Sequence, residues 1–292
     1  MAQSPAHRLG QFVGSQVENA LYGPLLSLAH EYNLYLDFTH PRKAREGRRR
    51  VTWTDSHGNS HDLDYVIEDA GSESFVGTPK AFIETAWRRY TKHSRNKAQE
   101  IQGALMPLAE KYSDHRPFLG AVLAGEFTEG ALTQMKSLGF SIAYCPYETV
   151  IGAFAESGVD VSSEEMSDEA DLLKQVEVLE MLDRSTLSGI HKTIMDAHAD
   201  QFDPFFDALR ASMSRAVEAI FILPLSGMGR EFRNVDNAVQ FITTWRPQTI
   251  GDVTRYELNV RYSNGDEVRA SFKCRHDAIS FLQLVATTGD SQ

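Results

Sequence analysis

Asp64 and Glu84 lie twenty residues apart, and each borders a short apolar stretch. Tyr65-Val66-Ile67 follows the aspartate, and Ala81-Phe82-Ile83 precedes the glutamate. A carboxylate inside an apolar strand is costly unless it is paired or bound to a metal. Two of them on neighbouring strands suit Mg²⁺, a hard cation that prefers oxygen ligands. Such an ion lowers the pKa of an attacking water and neutralises a leaving oxygen, which is the chemistry of phosphodiester hydrolysis. Strand alternation places Glu84, Ala86 and Arg88 on one face. The structural alternative is that Asp64 simply opens a strand and Glu84 pairs with Arg88.

The basic residues near this pair come in two groups. Arg42, Lys43, Arg45, Arg48, Arg49 and Arg50 fall within nine positions, and Arg88, Arg89, Lys92, Arg95 and Lys97 within ten. The net charge of −11 argues against a nucleic-acid partner only if charge is spread evenly. Residues 1–150 carry 16 Lys and Arg against 17 Asp and Glu, so the excess acid lies in the second half. Local clusters neutralise phosphates whatever the total. A solvated turn and a solvated helix start are the plainer readings of the two runs.

The elements that must position these groups are legible in outline. Apolar spacing predicts a helix over 8–32, kinked or divided at Gly23-Pro24. A strand follows over 34–38, then a basic loop. Strand 50–54 and a return arm at 63–67 form a hairpin about Ser56-His57-Gly58-Asn59. Strand 80–86, helix 94–112, the apolar strand 118–124, helix 128–138 and strand 140–144 complete a mixed sheet with helices on both sides. Beyond Gly158 the pattern predicts an acidic helix over 162–183 and more helix over 187–223, interrupted near Pro204. A β-hairpin over 256–272 turns at Asn264-Gly265, and a short helix follows over 277–285. No internal repeat is expected.

The run Asp64-Tyr65-Val66-Ile67, then Phe82-Ile83-Glu84-Thr85-Ala86, then a basic helix start, resembles the PD-(D/E)xK nuclease superfamily, which includes many type II restriction endonucleases. The order of elements over residues 8–155 is similar too. The resemblance implies a restriction-endonuclease-like α/β (α+β) core with a mixed central sheet flanked by helices. It implies Mg²⁺ or Mn²⁺ held by Asp64 and Glu84, with Glu18 on the first helix as a further ligand. Gln99 and Gln102 match loosely a glutamine that some members carry. The family's lysine belongs two residues after the glutamate, where this chain has Ala86. Lys92 or Lys97 is expected to replace it, with Arg88 confined to charge stabilisation and Lys80 a weaker candidate.

These readings lead to a metal-dependent DNA endonuclease of restriction type. Its nuclease core would span residues 1–158, and a helical region with a C-terminal β-hairpin, residues 159–292, would serve recognition or dimerisation. Double-stranded DNA is the expected partner, gripped through residues 42–50, Arg89, Arg95 and Gln99, and a homodimer would cut both strands. The alternative is a nucleic-acid-binding or scaffold protein on the same fold with a decayed site. A cytoplasmic setting is expected, with Cys145 and Cys274 as separate reduced core thiols and no membrane span. His57, His61 and Asp62 flank a turn and are a weak zinc signal. His191, Asp196, His198 and Asp200 read as solvent-exposed.

Overall fold

The computed structural model describes residues 4–91, 94–162, 168–214, 216–225, 227–246, 255–263 and 267–289. It is a mixed α/β fold that separates into two compact units, Met1–Leu209 and Arg210–Gln292. The division falls well beyond residue 158. Helices α5 (Glu169–Glu180) and α6 (Arg184–Ala197), expected with the second half of the chain, instead pack on helix α1 in the first unit. Among the described residues no helix is long and apolar enough to cross a membrane.

Helix α1 (Pro5–Glu31) begins at Ser4, whose Oγ accepts from the His7 amide, with Pro5 in the first turn where its missing N–H costs nothing. It runs through Pro24 as one helix, so of the expected kink or division the division does not occur. A mid-helix proline costs about 3 kcal/mol. Burial of Leu21, Leu25 and Leu28, each at most 1% exposed, offsets that at about 1.5–3 kcal/mol apiece.

The central sheet has the order β1-β4-β5-β6-β7. Strands β1 (Tyr35–Phe38), β4 (Tyr65–Asp69) and β5 (Thr78–Arg88) are antiparallel neighbours, while β5, β6 (Phe118–Gly125) and β7 (Ser141–Pro146) run parallel. Helices α2 (Ser94–Lys111) and α3 (Glu129–Ser137) share a buried cluster with Val66, Phe82, Ala86, Ala121 and Leu123 on one face. Helix α1 packs on β5 from the other face, and α4 (Tyr147–Glu156) packs on β6 and β7. Both faces being covered explains why β6 is an apolar run rather than an alternating one.

One strand boundary differs from the expected hairpin in a way that matters. The return arm of β2 (Val51–Thr54) is β3 (Ser60–Leu63), with Val51 opposite Leu63. At Asp64 the chain leaves that two-stranded sheet and enters the central one as β4. The aspartate therefore stands at a corner between sheets.

The second unit is a four-stranded antiparallel sheet, order β11-β10-β8-β9, with α8 and α9 on one face. Its elements are β8 (Val217–Pro224), β9 (Arg230–Phe232), α8 (Val235–Thr244), β10 (Tyr256–Tyr262), β11 (Glu267–Phe272) and α9 (Arg275–Gly289). The expected hairpin is β10 and β11, while its Asn264-Gly265 turn lies outside the described residues. Helix α7 (Ala199–Met213) ends before β8, so the helix expected up to Leu223 gives way to a strand whose burial alternates over Ile220–Pro224.

This unit is an internal ββα repeat, where none was expected. Phe232, Ala238, Phe241 and Ile242 recur forty residues later as Phe272, Ala278, Phe281 and Leu282, in identical burial states. Phe232 meets Phe241 at 5.2 Å and 39°, and Phe272 meets Phe281 at 5.3 Å and 40°. Even the helix caps correspond: Asn234 accepts from the Asn237 amide, and Cys274 Sγ from the Asp277 amide. Strands β8 and β10 pair antiparallel at the centre, relating the halves by a pseudo-two-fold axis. Cys274 is thus exposed at a helix start, while Cys145 is buried, so only one of the two expected core thiols lies in a core.

Candidate functional site

Register brings the two candidate acids together. Tyr65 pairs with Ile83, so Asp64 falls opposite Glu84 just where β4 begins and β5 continues alone on that edge. The Asp64 amide donates to Glu84 Oε1 at 3.3 Å. Asp64 Oδ2 accepts from both the amide and the hydroxyl of Thr85, at 2.7 Å each. These bonds fix the aspartate side chain. Glu18 arrives from α1, which is tied to β4 by a hydrogen bond from the Tyr65 hydroxyl to the Glu18 carbonyl, 2.9 Å. At the far end of β5, Gly125 (φ +95°) lets β6 approach so closely that a Cβ would sit 2.1 Å from the Arg88 carbonyl. The Glu126 amide holds that carbonyl at 2.7 Å.

A cleft of about 410 Å³ opens here, lined by Glu18, Asp64, Thr85, Ala86, Arg88 and Lys97 among others. Glu84 does not line it; the side chain is buried, with 7% of the residue exposed. Burial, and then repulsion from Asp64, push the Glu84 carboxyl up to about 8, against an opposing pull from Lys97. Burial and Asp64 likewise push Glu18 up to about 7. Three carboxyl groups thus feel one another. Among the described residues, however, no three His, Cys, Asp or Glu side chains form a group that could hold a metal ion. A pair drawn from Asp64, Glu84 and Glu18 remains, and Mg²⁺ is commonly held by one or two carboxylates with water and substrate phosphate completing its shell.

The basic candidates separate. Lys97 lines the cleft with its side chain 22% exposed, its Nζ 3.8 Å from Glu100 Oε2. Lys92 lies outside the described residues. Arg88 lines the cleft and donates to the Trp87 carbonyl at 2.9 Å. The Arg89 guanidinium lies 4.7 Å over the Tyr90 ring, also at the cleft. Arg95 and Gln99 are on α2 and do not line it, and Gln102 bonds with Gln134 instead. Lys80 pairs loosely with Asp69 (3.9 Å) at the other end of β5.

The basic loop is not one surface. Arg42 is wholly buried and cannot reach a phosphate. Its guanidinium contacts Asp37 at 2.7 Å, grips Glu68 at 2.7 and 2.9 Å, donates to the Ser72 and Phe75 carbonyls, and lies 4.3 Å over Tyr35. Arg45, with its side chain 9% exposed, is likewise consumed by Asp37 and by the carbonyls of Phe38, His40 and Arg49. These two are corrections to the expected phosphate grip. Asp37 and Glu68, acids inside apolar strands, were the available signal, since each demands a buried cation. Lys43, Arg48, Arg49 and Arg50 stay exposed, Arg48 paired with Glu46 and Arg50 with Asp62. A second cleft of about 330 Å³ includes Arg48 and Arg50.

The side chains of His61, His191 and His198 each bond to a neighbouring protein group. His61 bonds Asp55 at 3.0 Å, in a turn whose His57 and Asn59 amides also donate to that carboxylate. His191 is half-buried against Gln16 rather than solvent-exposed, and His198 meets the Thr149 hydroxyl at 2.6 Å.

No family profile and no curated protein matches this chain. Among solved structures it is similar to a protein of unknown function, AF1548, at 10% identity. That match covers 63% of this chain and 99% of the other, with a TM-score of 0.28, and carries no argument about fold or function.

Proposed function

We infer that the protein is a metal-dependent DNA endonuclease of the PD-(D/E)xK kind. The observation that carries this reading is a cleft lined by Glu18 from α1, Asp64 from the β3–β4 corner and Lys97 from α2, with the buried Glu84 of β5 coupled electrostatically to all three. Three crowded carboxyl groups with Lys97 as their neighbouring cation are hard oxygen donors that suit Mg²⁺ or Mn²⁺. Asp64 and Glu84 would hold the ion, with Glu18 beside them. When bound it would supply an activated water and a counter-charge for the leaving oxygen. Lys97 takes the place of the missing motif lysine, since it reaches Glu84 electrostatically from α2 while Ala86 offers no function. Arg88 adds positive charge near the scissile phosphate. A homodimer acting on duplex DNA, each copy cutting one strand, completes the restriction-type version of this proposal.

A second reading has its own support. Glu84 is buried, and no three-ligand group exists among the described residues, as expected of a nucleic-acid-binding protein with a decayed site. One experiment separates the two. Plasmid DNA is incubated with wild type, Asp64→Ala and Glu84→Ala in Mg²⁺, Mn²⁺ or EDTA. Nicking that needs metal and disappears in both variants supports the nuclease; no nicking in either metal, with DNA binding retained, leaves the binding protein.

A further inference from the structure

The cleft beside Asp64 extends beyond the acids. On α1 its lining residues run from Ala6 to Glu18, about 18 Å at 1.5 Å per residue. Gly10 and Gly14 lie in that stripe, and a Cβ built on Gly10 would meet nothing within 4 Å. The bare helix backbone therefore forms part of the wall. The opposite wall is the overhang of β5 past its last pair with β4, continuing through Arg88 and Arg89 to Tyr90. The Tyr90 hydroxyl is buried and has no hydrogen-bond partner among the described residues. Buried hydroxyls are normally satisfied, so one left open in a cleft wall points to a group that arrives with a ligand. The groove thus has an acidic end and a basic, aromatic end.

The geometry points to the Arg88–Tyr90 end as the subsite for the nucleotide next to the cut, entered by a locally unpaired strand. This rests on the nuclease reading and replaces the intact duplex of its restriction-type version with a locally unpaired strand as the substrate. The groove measures about 410 Å³, in the range of small-ligand sites, which is room for a nucleotide or two. A base reaches an aromatic side chain and a buried hydroxyl only when it is splayed out of its pair. Stacking on Tyr90 with phosphate contact from Arg88 is how single strands are held without strict sequence preference.

The test uses fluorescent oligonucleotides as a single strand, a blunt duplex and a duplex with an unpaired flap, cleaved in Mn²⁺. Single strand and flap should be cut at least about tenfold faster than the blunt duplex, a factor typical of one good contact. Gly10→Leu projects a side chain into the groove from a helix position with free space, and Tyr90→Phe removes only the hydroxyl. Both should raise KM for the single strand severalfold with kcat little changed. A blunt duplex cut as fast as the single strand, or unchanged KM in both variants, overturns the subsite while leaving the nuclease reading standing. If nothing is cut, the nuclease reading fails, and anisotropy of the same oligonucleotides in Ca²⁺ decides the subsite. Tighter single-strand binding that Gly10→Leu weakens supports it, and equal binding of single strand and duplex overturns it.

Discussion

Asp64 and Glu84 stood out in the sequence because an acid in or beside an apolar strand needs a partner, and the same logic applies to Asp37 and Glu68, whose partner is the buried Arg42. What the sequence could not rank was which of six neighbouring cations each buried acid would claim. Arg42, Arg48, Arg49 and Arg50 look alike in a row, yet one is fully buried and the others are exposed. Removing Arg42 leaves Glu68 buried without its cation and Asp37 with Arg45 alone, and breaking such a buried pair costs about 3–5 kcal/mol. Arg42→Ala is therefore expected to lower the urea midpoint sharply or prevent folding. A midpoint within error of wild type would show that the network contributes nothing. At the cleft, Lys97→Ala should reduce the cleavage rate by about 10²-fold, comparable to losing one charge-stabilising donor. Lys97→Arg keeps the charge and should retain more activity than Lys97→Ala. Equal rates in wild type and both variants would move the role to Arg88 or Lys92.

At the level of elements, periodicity located most of the first unit, since α1, α2 and β6 bury simple stripes or runs. It failed where neighbouring elements change partners. The break at Asp64 between β3 and β4 leaves no gap in the sequence pattern, because the two strands follow one another directly. The ββα repeat was hidden for a different reason. Only its buried positions recur, and the two hairpins differ in length: Ile220 pairs with Phe232, twelve residues on, but Tyr256 with Phe272, sixteen on. If the halves are equivalent, Ala238→Leu and Ala278→Leu overpack matching sites and should destabilise by similar amounts, about 1–3 kcal/mol each. Denaturant melts that differ widely between the two would deny the equivalence. The turn between β2 and β3 makes a pH prediction. Asp55 bonds first of all to His61, then to the Asn59 side chain and the Asn59 and His57 amides, and these bonds hold its carboxyl well below the usual carboxylate range. A depressed carboxyl stabilises the fold above its unfolded value, near 3.9, and that contribution fades as pH falls through its folded value. Asp55→Ala should lower Tm at neutral pH, with the gap to wild type closing below about pH 4. A gap that persists unchanged at pH 2–3 would mean the carboxylate charge plays no part.

Over the whole molecule, charge is segregated in a way the net value conceals. Residues 151–209 hold three Lys and Arg against fourteen Asp and Glu, which accounts for the full −11. Arg210–Gln292 holds ten against nine and is nearly neutral. A polyanion approaching the chain therefore meets an acidic segment spanning α5, α6 and α7, and it must bind where basic side chains are both exposed and uncommitted. Arg48, Arg49 and Arg50 meet the first condition, and pairing with Glu46 or Asp62 at the surface commits two of them only weakly, since exposed pairs contribute about 0–1 kcal/mol. They can exchange those partners for phosphates at little cost. Phosphate binding of this kind carries no sequence information, so neutralising all three should weaken specific and non-specific DNA alike. Every phosphate left without its arginine also takes about 0.9 from the slope of log affinity against log salt. The triple glutamine variant should therefore bind more weakly at low salt and converge towards wild type as salt rises. Titrations across a roughly fourfold range of NaCl, about 50 to 200 mM, provide the measurement. A drop confined to one DNA sequence would mean that these arginines read bases. An unchanged slope would leave the loop a solvated turn and place the electrostatic footprint at the cleft alone.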